Sequence, residues 1–168
     1  MSPVAINFVA AQSGTGKTTV IEKLLPELND RGLKVAALKG EVHHYDLDIP
    51  GKDTWRFARA GAAVAGMTTP EKFILIGSAT GGGTTAAIER LHGFDLIIIE
   101  GDRKSPRPKI EVIRSAVSKE PLLLEGTIAL VTDLPALNLP QPLPLFGLED
   151  AAGLANFIED RFFKTRRP

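Results

Sequence analysis

The 168-residue sequence contains no cysteine. Disulfides, thiolate metal sites and cysteine nucleophiles are thereby excluded, although the absence does not fix a compartment by itself. Nor is there an excess of either charge, since Lys plus Arg and Asp plus Glu number 20 each. No global field points to nucleic acid or to an anionic membrane. Long hydrophobic runs are also missing, and none approaches the roughly eighteen residues that a membrane helix requires. Pro3–Ala11 is apolar, but it has no basic leader and runs into a glycine-containing loop instead of a cleavage site. The expectation is a soluble, cytoplasmic chain forming one domain over residues 1–168. Hydrophobic residues at 43% and charged residues at 24% are an ordinary balance for such a domain.

What is present is an alternation of strands and helices. Val4–Ala10 reads as a short buried strand closed by a turn. Lys17–Arg31 reads as a helix: Ile21, Leu24, Leu25 and Leu28 fall on one face, Gly32 stops it, and Pro26 should kink it or end its regular part early. Leu33–Lys39, Phe73–Ile76, Leu96–Ile99 and Ile128–Val131 read as strands. Lys109–Arg114 alternates apolar and polar, which predicts a strand exposed on one face. Lys52–Gly61 and Thr84–Leu91 are further helices. Glu41–Gly51 reads as a loop or small hairpin, and Pro135, Pro140, Pro142 and Pro144 stiffen an extended crossing segment. Glu149–Phe163 closes the chain as a helix with Leu154, Phe157, Ile158 and Phe162 on one side. The fold predicted is an α/β three-layer sandwich with a mostly parallel central sheet flanked by helices. Such sheets bind ligands at the carboxyl ends of their strands, where Ala11, Lys39, Glu100 and Thr132–Asp133 should converge.

One motif falls at that edge. Ser13-Gly-Thr-Gly-Lys-Thr-Thr19 follows the first strand and opens the first helix, the setting of a P-loop. Gly14 and Gly16 let backbone N–H groups turn inward around phosphate oxygens, and Ser13, Thr15 and Thr19 complete the cradle. Lys17 supplies charge to the β- and γ-phosphates and Thr18 a hydroxyl for Mg²⁺. The first position of the usual pattern is Ala11 instead of glycine, so that position should not need positive φ.

Other residues support the site. Asp95-Leu-Ile-Ile-Ile-Glu-Gly101 looks like the strand that carries a metal-holding carboxylate. Asp95 and Glu100 are about 17 Å apart along a strand, and only Glu100 is at the carboxyl end, so Glu100 is the candidate for Mg²⁺. His43, His44, Asp46 and Asp48 are potential ligands. Adjacent histidines point apart in a strand, so a dedicated transition-metal site is less favoured than Asp48 helping to hold Mg²⁺. Arg103, Lys104, Arg107 and Lys109 form a basic stretch suited to an anionic second substrate, an acidic partner or plain solvation. Lys39 is placed with the nucleotide, and Asp133 could accept hydrogen bonds from guanine N1 and N2. Trp55 and Phe57 read as packing residues.

With these residues assembled, the chain resembles the molybdopterin-guanine dinucleotide biosynthesis adaptor proteins, the MobB family. The resemblance rests on Ser13–Thr19, Arg31-Gly-Leu-Lys-Val35, Lys39, His43–His44, Asp46-Leu-Asp48 and Pro50-Gly-Lys-Asp-Thr54. It continues through Ala60-Gly-Ala62, Ile97-Ile-Ile-Glu-Gly101, Pro108-Lys-Ile-Glu-Val112 and Val131-Thr-Asp133. It implies a homodimeric protein that binds GTP with Mg²⁺, hydrolyses it slowly and assists a MobA-like molybdopterin nucleotidyltransferase in attaching GMP to molybdopterin. Molybdopterin itself is a further candidate ligand. Two positions depart from the family pattern: Gly40 follows Lys39 where histidine is common, and Asp102-Arg103 follows Gly101 where an aromatic residue and lysine are common. The residues alone leave two other readings open. One is a small-molecule kinase in which Lys39 and the Asp46–Asp48 loop orient an acceptor hydroxyl; the other is a scaffold whose P-loop binds nothing.

Overall fold

The computed structural model describes residues 2–40, 42, 48–77 and 83–164. His43, His44 and Asp46 of the expected ligand cluster lie outside the described residues, as do Gly81 and Gly82. The chain forms two compact units, one made of Met1–Gly40 with Ile88–Pro168 and the other of Glu41–Ala87.

The first unit is built on a six-stranded sheet whose order is β2 (Val35–Lys39), β5 (Leu96–Glu100), β1 (Val4–Val9), β6 (Lys109–Ile113), β7 (Thr127–Thr132) and β8 (Leu145–Phe146). Every pair in it is parallel. A parallel sheet delivers all its strand ends to the same edge, so the convergence expected from the sequence follows from the ladder itself. Lys39 and Phe8 are both register partners of Glu100, and Ile113 pairs with Thr132.

Period-two alternation decides which side chains form the core. Ile6, Phe8, Leu96, Ile98, Ile110, Val112, Ala129 and Val131 share one face. Against it lie Val20, Ile21, Leu24 and Leu28 of α1 (Lys17–Asp30), and Leu154, Ala155 and Ile158 of α4 (Ala151–Phe162). Pro26 does not end α1 early: the helix runs to Asp30, with Gly32 at φ 79° just beyond it. The missing N–H costs only the bond to the Glu22 carbonyl, and the packed face carries the helix through. The helix expected at Thr84–Leu91 is α3 (Gly83–Arg90), and Asp150 caps α4 by accepting from the Gly153 N–H at 2.9 Å. Among the described residues no helix is long and apolar enough to cross a membrane.

Strand β6 departs from expectation. Its alternation of apolar and polar residues predicts one solvated face, yet all five residues are buried. The strand lies between β1 and β7, and its polar side chains meet backbone instead of water. The Lys109 ammonium donates to the carbonyls of Ser105, Arg107 and Glu125. The Glu111 carboxylate accepts from the N–H groups of Leu122 (2.6 Å) and Leu123 (3.0 Å). Burial pushes the Glu111 carboxyl above its ordinary value, and the two N–H donors pull it partly back.

The second unit holds α2 (Asp53–Arg59) and an antiparallel ribbon of β3 (Val64–Thr68) and β4 (Phe73–Gly77). β3 is not evident in the sequence because Gly66 interrupts its pattern. A Cβ there would come within 2.5 Å of the Ile74 carbonyl oxygen, so only glycine allows the two strands this approach. Phe57 does not serve as a packing residue. It is 55% exposed, because α2 turns only Thr54 fully inward. Trp55 is half-buried beneath the Arg59 guanidinium, 5.4 Å from the ring centroid.

Lys109→Met keeps the length of the side chain and removes its three donors. We expect a loss of about 2–4 kcal/mol in urea unfolding, because the carbonyls of Ser105, Arg107 and Glu125 lose their shared buried donor. An unchanged midpoint would mean that those carbonyls find water instead.

Candidate nucleotide-binding site

The loop after β1 has the backbone its sequence requires. Gly14 and Gly16 have φ of 78° and 90°, and Gly16 caps α1 from the left-handed region. Outside glycine, positive φ occurs among the described residues only at Asp102 and Leu123, so Ala11 sits in ordinary backbone as expected. Ser13, Gly14, Thr18 and Thr19 are exposed at the turn and the first helical residues. Thr15 is 1% exposed, and its hydroxyl has no hydrogen-bond partner among the described residues. A loop with two left-handed glycines, a buried unpartnered hydroxyl and a helix N-terminus fits the oxygen-rich surface of a phosphate chain.

The metal-holding pair expected from the sequence is brought together. The Thr18 hydroxyl donates to Glu100 Oε2 at 2.8 Å, across 82 positions of chain. The parallel pairing of β1 with β5 produces this contact by ending both strands at one level. Asp95 serves elsewhere, at the start of β5, where its carboxylate accepts from the Lys34 N–H at 2.8 Å. Thr18 and Glu100 together offer the hard oxygen donors that Mg²⁺ takes.

Lys17 stands among further charges. Burial lowers its pKa, Glu100 opposes that shift, and Arg103 and Lys39 add to the lowering. Three cations thus gather around one carboxylate, an arrangement that an anionic ligand would stabilise. Lys17 Nζ donates to the Gln12 carbonyl at 3.4 Å. The Arg103 guanidinium donates to the Ala11 carbonyl at 3.1 Å, joining the loop after β5 to the phosphate loop.

That second loop is held from below by Asn7, which is fully buried in β1. Its amide donates to the carbonyls of Gly101 (2.9 Å) and Asp102 (3.1 Å). Gly101 has φ 95°, and a Cβ on it would lie 3.1 Å from the Gly40 carbonyl oxygen. The two family departures, at Gly40 and at Asp102–Arg103, therefore meet at one place beside Glu100. The expected basic patch is not a continuous surface. Lys109 is buried and Arg107 pairs with Asp102 at 3.4 Å, while the exposed pair Arg103 and Lys104 is divided, since Arg103 donates to the Ala11 carbonyl.

Asp133 follows β7 at the same edge. Its two carboxylate oxygens accept from the Ser115 N–H (2.7 Å) and the Ser115 hydroxyl (2.8 Å). These Ser115 donors hold its carboxyl below the ordinary aspartate value, and the charge of Arg114 adds to the effect. Arg114, Ser115 and Gln12 are the residues that sequence reasoning missed. Arg114 directly follows β6, so the strand-end rule that selected Glu100 would also have found it. Asp48 belongs to the other unit, where its carboxylate accepts from the Thr54 hydroxyl at 2.7 Å. No cluster of three metal-ligating side chains occurs among the described residues.

Residues 6–133 match the family model described as molybdopterin guanine dinucleotide synthesis protein B. The chain belongs to that family. It is 33% identical over 158 residues to the molybdopterin-guanine dinucleotide biosynthesis adapter protein of Escherichia coli K12, covering 89% of this chain and 88% of the relative. The adapter protein of the same name from Haemophilus influenzae is 30% identical over 159 residues, covering 90% and 86%. A crystal structure of molybdopterin-guanine biosynthesis protein B superposes with TM-score 0.70 at 26% identity, covering 94% of this chain and 99% of that one. The fold is thus the mostly parallel α/β fold expected from the sequence, shared with solved members of the family.

Glu100 is half-exposed at a strand end, so Glu100→Gln should leave the fold intact. Titration of Mg²⁺ in the presence of GTP should show metal affinity reduced about ten- to a hundredfold. Unaltered Mg²⁺ dependence would remove Glu100 from the metal site.

Proposed function

We propose that this protein is a cytoplasmic GTP-binding adapter in molybdopterin guanine dinucleotide biosynthesis, working with the nucleotidyltransferase that joins GMP to molybdopterin. The observation that carries the reading is the Thr18–Glu100 contact beside Lys17, a paired hydroxyl and carboxylate at the mouth of a phosphate loop, in a chain of this family. Bound Mg²⁺ would neutralise phosphate charge there. Ser13 through Thr19 present N–H groups and hydroxyls, Lys17 and Lys39 supply positive charge, and Thr18 with Glu100 holds the metal. Asp133 keeps lone pairs free beyond those used by Ser115 and is assigned to guanine N1 and N2. Hydrolysis is slow in this reading. Gln12 is turned to the Val117 carbonyl at 3.0 Å and Glu100 is engaged with Thr18, so neither is free to orient a water.

We also infer a homodimer, supported by the ribbon of the second unit. Phe73 is 74% and Leu75 63% exposed on one face, and Met67 and Ile74 are exposed on the other. A two-stranded ribbon with apolar side chains on both faces is marginal unless something covers it, and a second copy of the chain is the simplest cover.

Calorimetry should show GTP binding that exceeds ATP binding and is lost in Lys17→Ala. A pull-down from cell extract should recover the molybdopterin nucleotidyltransferase; repeated failure to do so, with GTP present, would overturn the adapter reading. For the dimer, Phe73→Glu combined with Leu75→Glu should shift light-scattering mass from twice the chain mass to one. A double variant that stays dimeric would place the interface elsewhere.

A further inference from the structure

We propose that Arg114 binds the phosphate chain of the nucleotide, and that Ser115, clasped by Asp133, sets its position. This rests on the nucleotide reading above and assigns a residue which that reading does not use. Arg114 emerges from β6 at the carboxyl edge of the sheet. Its Nη1 lies 3.9 Å from where a Cβ on Gly16 would stand, so the guanidinium lies against the residue that caps α1 and precedes Lys17. Its side chain is exposed and makes no hydrogen bond among the described residues.

The turn that carries it is braced on two sides. The Arg114 carbonyl accepts from the N–H groups of Val117 (2.8 Å) and Ser118 (2.9 Å), which closes the turn. On one side, the two oxygens of Asp133 accept from the N–H and the hydroxyl of Ser115, one bond each. On the other, the Gln12 amide in the phosphate loop donates to the Val117 carbonyl. Arg114 adds to the lowering of the Asp133 pKa, yet the two form no salt bridge among the described residues, and the carboxylate bonds Ser115 instead. The guanidinium is left as a planar fork of donors beside an anion-binding loop. That geometry suits two phosphate oxygens at once, which an ammonium cannot match. Lys39 and Arg103 stand around Lys17, whereas Arg114 stands against Gly16, so the phosphate chain would meet positive charge from more than one direction.

The test uses the full chain with Mg²⁺ and two probes, GTP and inorganic tripolyphosphate, which has the phosphates but no nucleoside. In wild type both should bind, and Lys17→Ala should abolish both. Arg114→Ala should weaken both probes alike, by about tenfold. Arg114→Lys should recover part of that loss, since charge returns without the fork. Ser115→Ala should weaken both to a smaller extent, and should add nothing in the Arg114→Ala background, which a merely structural role would not produce. Thermal melts of the variants confirm folding. If Arg114→Ala leaves both affinities unchanged while Lys17→Ala abolishes them, the proposal is overturned and the nucleotide site stands. Weakened GTP binding with unchanged tripolyphosphate binding also overturns it, because the guanidinium would then serve the nucleoside. Failure of wild type to bind either probe overturns the nucleotide reading and this proposal together.

Discussion

A buried amide in the central strand governs the geometry of the candidate site. Asn7 has no access to water, and an unpartnered amide in that position would cost several kcal/mol, about the net stability of many small domains. It meets this constraint by donating to the carbonyls of Gly101 and Asp102, in the loop that follows Glu100. Lys109 does the same further along the loop by reaching Ser105 and Arg107. A segment that would otherwise be free at the sheet edge is thereby fixed to the sheet. Arg103 then reaches the Ala11 carbonyl, and Glu100 stands at the height of Thr18.

The site is assembled from loops held in this way. Its charges come from the start of α1, from β2 and from the end of β5 with the loop after it, and its flank comes from the turns after β6 and β7. Its closest contacts join residues far apart in sequence, such as Thr18 with Glu100 and Ser115 with Asp133. Parallel pairing makes this economical: one ladder places five strand ends at a common level, and each loop needs only one or two side-chain bonds to settle its direction. The same arrangement explains why Lys17 lies among other cations. Groups that would repel one another in isolation are held together by backbone pairing that does not depend on them.

Much of this was legible in the sequence where the signal is local. The glycine-rich turn into α1 is marked by its Gly-Thr-Gly-Lys motif, the buried face of α1 by hydropathy period, and the placement of Glu100, not Asp95, at the carboxyl end of β5 by strand length. What was not legible has a common cause. Alternation in β6 looks the same whether Lys109 and Glu111 face water or face backbone, because only the loops packed above them decide. Gly66 hides β3 for a similar reason: its lack of a side chain answers a neighbour, Ile74, whose approach the sequence does not state. Arg114 was within reach, since the strand-end rule applies to β6 as much as to β5. The alternating pattern continues through Arg114, and this hides its position just beyond the end of β6.

The burial of Lys109 and Glu111 bears on how the protein could be engineered. With formal charge balanced at zero, the obvious route to better solubility is to add or remove charged residues. Anyone choosing positions from the alternating stretch Pro108-Lys-Ile-Glu-Val112 would edit two anchors of the fold while intending to edit its surface. Charge redesign belongs instead on residues such as Lys104 or Glu71, which face solvent.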